Sequence, residues 1–216
     1  MNYFKLIFGV MIFLMPGLVS ATTLENYIAT YNPQQASQIS YNIIQVSNKY
    51  QLDPLLVSSI YSIESKYNNN AVSSAGALGI AQLLPETAME MGSDPYSIES
   101  NIEGGAKYFR MMVDLHANKG DEKYNYALAS YNAGPGNVVD SIPSYTYGYI
   151  QDVNDEYLHQ KSIITDISST YSIKPIVGNN NNSIETNPIN SATDKQRLLA
   201  KLQLLKKLYE LKSNMH

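Results

Sequence analysis

Apolar residues recur along this chain at helical spacing. Ile39, Ile43, Val46 and Tyr50 are separated by four, three and four positions, which predicts a helix with one buried face. Asp53 followed by Pro54 reads as an N-cap with proline at the first helical position, and Leu56, Ile60 and Ile63 continue one apolar stripe beyond it. Glu64 falls near the end of that helix. The stretch Asn68 to Gly79 is rich in Asn, Ser and Gly and reads as an irregular loop. A helix from about Ile80 to Met91 should follow, beginning or kinking at Pro85. Asn101 can cap the next helix, whose face includes Ala106, Phe109 and Val113 and which should stop near Gly120. Another starts after Asp121, runs through Tyr124, Ala127 and Leu128, and ends at Asn132-Ala133-Gly134-Pro135-Gly136, where proline forbids simple continuation. A short helix from Val138 and one from about Tyr147 to His159 complete the set. No segment sustains two-residue alternation, so the pattern predicts an all-α domain.

The ends of the chain read differently. Lys5 ahead of the apolar run Leu6 to Met15, with Val19-Ser20-Ala21 as small residues at a cleavage site, marks residues 1–21 as a secretory signal peptide. The expected domain covers residues 22–160. Residues 161–193 shift to Ser, Thr, Ile and Asn, including four consecutive asparagines from Asn179 to Asn182, and read as a linker. In residues 194–216, Leu198, Leu202, Leu205 and Tyr209 recur at steps of four, three and four, giving an amphipathic basic helix.

Composition narrows the chemistry. With no cysteine, the chain has no lipid-modified N-terminal Cys, no disulfide and no thiolate nucleophile. His116, His159 and His216 lack the close spacing of metal ligands, so no metal and no cofactor is expected. Residues 194–216 carry six Lys/Arg against two acids, whereas residues 22–193 carry eight against seventeen. A body with net charge −9 is unsuited to nucleic acid, which needs clustered cations. The +4 segment is a docking candidate over residues 194–212, for an envelope protein partner, a membrane surface or the acidic body itself; simple packing on the domain is the alternative.

Glu64 is the candidate acid. A carboxyl at the end of an apolar helix face, beside a Gly/Ser/Asn loop, is placed for partial burial, which raises its pKa. An isolated helix-end Glu is ordinarily just solvated; the surrounding pattern changes the reading. Glu64-Ser65, Ala71-Val72-Ser73, Gly76-Ala77, Gly79, Gln82, Leu84-Pro85 and Thr87-Ala88 form a first block. Asn101-Ile102, Gly105 and Tyr108 form a second, and the run from Ala127 to Val138 a third. In this order they resemble the signatures of the soluble lytic transglycosylase catalytic domain.

That resemblance implies a lysozyme-like all-α fold with a groove for peptidoglycan glycan strands. It also implies cleavage of the bond between N-acetylmuramic acid and N-acetylglucosamine without hydrolysis. Protonated Glu64 would donate to the bridging oxygen; ionised Glu64 would then take the proton from the 6-hydroxyl, which closes to a 1,6-anhydro end. Ser73, Gln82 and Leu84 match groove positions, and Tyr108 and Tyr131 match two tyrosines near the acid, one able to orient the carboxyl. Asn132 falls beside them at a turn and is the last candidate substrate-binding residue.

Two positions depart from the family pattern. Ala81 stands where Met is common, which should widen the wall behind Gln82, and Ile142 to Tyr149 lacks the family's Glu-Thr-Arg, which puts the equivalence of Tyr149 in doubt. Residues 65–85 contain no Asp or Glu, whereas hydrolytic relatives of the goose-lysozyme type carry acids just beyond the catalytic one. The expected setting is periplasmic or secreted. Two alternatives stay open: a hydrolytic muramidase, and a low-activity wall-binding component of an envelope-spanning secretion or conjugation apparatus.

Overall fold

The computed structural model describes residues 23–164, so the expected signal peptide, most of the linker and the basic helix lie outside the described residues. Seven α-helices account for most of what is described: α1 (Leu24–Ala29), α2 (Ala36–Tyr50), α3 (Pro54–Ser65), α4 (Pro85–Met91), α5 (Ile98–Leu115), α6 (Lys123–Ala133) and α7 (Tyr147–Ile163). Two isolated bridges, Val72 with Leu78 and Leu78 with Leu83, pair segments of the loop between α3 and α4. The domain is all-α, as the absence of alternation predicts.

Local chemistry sets the helix ends. The Asp53 carboxylate accepts from Leu55 N–H at 2.8 Å, with Pro54 in the first turn, so α3 starts where the sequence places it. It stops at Lys66, which is left-handed (φ 54°), and Tyr67 is left-handed too (φ 59°). Two successive non-glycine residues in this region cost on the order of 1 kcal/mol each, so the turn exists only because its surroundings hold it.

Several boundaries differ from expectation. Residues 80–84 are not helical: the loop continues to Leu84, and α4 begins at Pro85, because proline has no N–H to continue a helix begun earlier. Ser97, not Asn101, caps α5, its hydroxyl accepting from Ser100 N–H. Asn101 is fully buried one turn inside; its Oδ1 accepts from Ala81 N–H at 2.7 Å and its Nδ2 donates to the Leu78 carbonyl at 3.1 Å. α5 ends at Leu115, followed by a 3-10 segment, Ala117–Glu122, kinked at Gly120. No helix starts at Val138; the turn is a 3-10 piece, Pro135–Asn137. α7 runs to Ile163 and Ile164 is buried, so residues 161–164 belong to the domain and not to the linker. α1 has no counterpart among the helices the pattern predicts, because only Leu24, Tyr27 and Ile28 of its six residues are buried, too short a stripe to show periodicity.

The core is built where α2 meets α5, α3 meets α7 and α5 meets α6. Ile39, Ile43, Ile60, Phe109, Met112 and Leu128 are all less than 2 % exposed, each contributing roughly 1.5–3 kcal/mol by burial. On α3 the buried face is Val57, Ile60 and Tyr61; Leu56 and Ile63 sit at its margin. No helix among the described residues is long and apolar enough to cross a membrane.

One close approach fixes the loop after α3 against α5. A Cβ on Gly105 would lie 2.5 Å from Ala81 Cβ and 2.7 Å from the Tyr61 hydroxyl. Gly105→Ala is therefore expected to destabilise the domain by roughly 1–3 kcal/mol through overpacking. Urea denaturation measures this, and a neutral substitution would show that α5 can move away from the loop.

Candidate active site

Glu64 occupies the last turn of α3 and opens onto a groove of about 730 Å³. Its Oε1 accepts a hydrogen bond of 2.6 Å from the Tyr149 hydroxyl, delivered from the first turn of α7. Burial pushes the Glu64 carboxyl up to about 7, and the Tyr149 hydrogen bond partly opposes that rise by favouring the ionised form. None of the residues lining the groove is Lys, Arg or His. The carboxyl thus lies near its midpoint at neutral pH, able both to give a proton and to take one back.

The loop between α3 and α4 forms one wall. Ser65 Oγ donates to the Ile80 carbonyl at 2.9 Å and accepts from Asn68 N–H at 3.1 Å, tying the loop to the end of α3. Ser73 lines the groove, but its hydroxyl accepts from Ala77 N–H at 3.0 Å and so closes its own turn. Gln82 also lines the groove, at φ 48°, with Nε2 donating to the carbonyls of Ala71 (3.2 Å) and Gly79 (2.8 Å). That nitrogen is committed to loop structure. Leu84 precedes α4 and completes this wall as an apolar contact.

Tyr108 and Tyr131 form the floor, their rings 5.3 Å apart. Tyr131 donates to the Ala81 carbonyl at 2.8 Å, which pins the floor to the loop. Neither is hydrogen-bonded to Glu64, so the expectation that one of these two phenols orients the carboxyl is corrected: Tyr149 holds it. The sequence signal for Tyr149 was weak because the residues before it lack the family pattern. Ala81 is fully buried against α5 and is not part of the groove wall, so the expected widening behind Gln82 does not arise there. Asn132 is exposed on the rim beside Gly134, whose φ of 80° turns the chain out of α6.

All seven sequence-selected residues meet at one groove. The structure adds others: Glu86, Met89 and Glu90 share one face of α4, at the i, i+3, i+4 spacing, and line the groove. The acid-free interval 65–85 therefore does not mean an acid-free groove. Among the described residues no group of three or more His, Cys, Asp or Glu could hold a metal ion.

Residues 41–152 match the family model described as the transglycosylase SLT domain. The chain is 35 % identical over 127 residues to membrane-bound lytic murein transglycosylase F of Cellvibrio japonicus, covering 56 % of this chain and 25 % of that one. It is 32 % identical over 135 residues to a transglycosylase of Enterobacteria phage PRD1, covering 61 % and 48 %. Among solved structures it is similar to lytic transglycosylase Slt of Pseudomonas aeruginosa, at 25 % identity and a TM-score of 0.48 over 60 % of this chain and 24 % of that one. The 70 kDa soluble lytic transglycosylase of Escherichia coli gives 25 % identity and a TM-score of 0.49, over 58 % and 24 %. The chain thus spans between a quarter and a half of the length of these relatives.

Two outcomes follow for Glu64. Tyr149→Phe removes the hydrogen bond that favours the carboxylate, so NMR titration of Glu64 should move above its value of about 7; a downward move would refute the role assigned to the phenol. The raised carboxyl contributes stability that is fully present below its ordinary value of 4.5 and is lost as pH rises through about 7. The stability of Glu64→Gln relative to wild type should accordingly increase between those two values and level off above them, as followed by thermal melts across that range.

Proposed function

We propose, for a chain that belongs to the transglycosylase SLT domain family, that these residues cleave peptidoglycan glycan strands without water, with Glu64 serving first as acid and then as base. The observation that carries this reading is the Glu64 carboxyl at the end of α3, half-buried in an open groove, poised near neutrality and hydrogen-bonded by Tyr149. In its protonated form Glu64 donates to the oxygen linking N-acetylmuramic acid to N-acetylglucosamine. The electron-deficient anomeric carbon is sheltered by the substrate's own acetamido oxygen. Glu64, now ionised and steadied by the Tyr149 hydroxyl, removes the proton of the 6-hydroxyl; that oxygen bonds to the anomeric carbon and closes the 1,6-anhydro ring. A pKa near the working pH suits one group to both transfers. Tyr108 and Tyr131 offer aromatic surface to pyranose rings, and Ser73, Gln82, Leu84 and Asn132 line the strand's path.

Hydrolysis is the second reading, favoured by Glu86 and Glu90 lining the same groove, because a second carboxylate is what an attacking water requires. The product separates the two.

The composition of residues 1–21 supports export to the periplasm or beyond, where the wall is. The basic, leucine-rich residues 194–212 support docking to an envelope partner or an anionic membrane. Within the proposal, both serve to bring the groove to its polymer.

Digestion of purified sacculi followed by mass spectrometry of the muropeptides tests the reaction. Anhydro ends are expected; reducing ends would establish the hydrolase, and intact strands would leave a binding protein. Glu64→Gln should lower the rate by at least roughly a hundredfold while the fold persists, because the amide cannot donate and recover a proton.

A further inference from the structure

Directly after Glu64 the backbone makes its left-handed turn through Lys66 and Tyr67. Tyr67 is fully buried, and every polar group it offers is tied. Its carbonyl accepts from Asn32 Nδ2 at 2.9 Å and its N–H donates to the Tyr61 carbonyl. Its hydroxyl lies 2.9 Å from Ser58 Oγ and 3.2 Å from Gln160 Nε2. An amide nitrogen can only donate, so the phenol oxygen accepts from Gln160, while across the Ser58 contact either hydroxyl can be the donor. Ser58 belongs to α3, which carries Glu64, and Gln160 belongs to α7, which carries Tyr149, about three turns from it.

Three hydrogen-bonded links cross the α3–α7 joint: Tyr149 to Glu64, Tyr157 to Asp53 at the α3 cap (2.9 Å), and the buried chain Ser58–Tyr67–Gln160. A helix pair bonded at separated points cannot slide or rotate without lengthening at least one of them. The Tyr67 ring is wedged edge-on against Tyr27 of α1, which in turn donates to Glu156 of α7.

We propose that Tyr67 is a positioning residue: its hydroxyl, through Gln160, sets the register of α7 on α3 and so the distance from Tyr149 to Glu64. This inference rests on Glu64 being the acid/base group. The groups that face Glu64 are the phenols of Tyr149, Tyr131 and Tyr61, from α7, α6 and α3. A loosened register therefore registers first as a change in Glu64 itself.

The test combines Tyr67→Phe, Gln160→Met and Tyr149→Phe. Tyr67→Phe should lower kcat roughly tenfold with KM changed less than about twofold, and should move the NMR titration of Glu64 upward, as loss of the Tyr149 hydrogen bond does. In the Tyr149→Phe background the same substitution should change kcat by less than about twofold, because the contact it positions is already gone. Gln160→Met, which cuts the link from the α7 side, should reproduce this signature and serves if Tyr67→Phe does not fold. An equal loss in both backgrounds, or a lowered melting temperature with kcat and the Glu64 titration unchanged, overturns the proposal. The titration needs no substrate. A shifted Glu64 in a protein that cleaves no glycan would therefore remove the proposed reaction while upholding Tyr67 as the positioning residue.

Discussion

The site depends on one constraint: a carboxyl at the end of a helix is kept half out of water and allowed one strong hydrogen bond, from a phenol 85 residues away in sequence. Burial alone favours the protonated acid, and the phenol favours the anion. Neither state is then held so firmly that the other is inaccessible near neutral pH. A cation beside Glu64 would hold the carboxylate permanently ionised, and the groove lining supplies none.

Keeping that geometry requires α3 and α7 to be fixed, and the packing between them is unusually polar for a core. Ser58 and Ser62 on α3 and Gln160 on α7 are fully buried, and Glu156 accepts from Tyr27 and Gln160 at 2.5 and 2.9 Å. Burial by itself would raise Glu156; the hydroxyl of Ser62, the hydrogen bonds from Tyr27 and Gln160 and the charge of Lys66 outweigh it and hold the carboxyl below its usual value. A directional interface of this kind specifies register more sharply than apolar contact, which tolerates sliding. The loop wall is fixed by the same means. Asn101, Ser65 and Tyr131 each bind backbone groups of residues 78–81, so a segment with almost no regular structure has its polar groups satisfied from three helices.

What was legible in the sequence follows from this division. The stripe Ile39, Ile43 and Val46 and the Asp53-Pro54 cap are local patterns, and α2 and α3 form where those patterns lie. Glu64 and the groove residues were legible as ordered blocks of a family signature. The residues misjudged are those whose partners are distant. Asn101 looks like a cap because an Asn before a helical stripe commonly is one, yet its amide reaches back more than twenty positions to the loop. Tyr108 and Tyr131 match family positions near the acid, with one phenol expected to orient it, whereas the structure makes them the floor and gives the contact to Tyr149. Tyr67 carried no signal, since a tyrosine after a helix end is unremarkable until both neighbours of its hydroxyl are known.

The segment before Tyr149 shows why the missing charged residues do not break the site. Thr146 is fully buried at the head of α7, its Oγ1 donating to the Pro143 carbonyl at 2.7 Å and its N–H to the same oxygen at 3.0 Å. That 3-10 turn, Ser144–Thr146, sets the angular phase at which α7 begins. From there Tyr145 and Tyr147 face solvent, Ile150 and Val153 enter the core, and Tyr149 lies at the boundary between, aimed at the end of α3. Tyr147 lies about 200° around α7 from Tyr149 and Tyr145 precedes the helix in the 3-10 turn, so of the three tyrosines Tyr149 meets the carboxyl. The contact with Glu64 therefore depends on where the helix starts, which a proline and a threonine determine, and not on the charge of the residues that lead up to it.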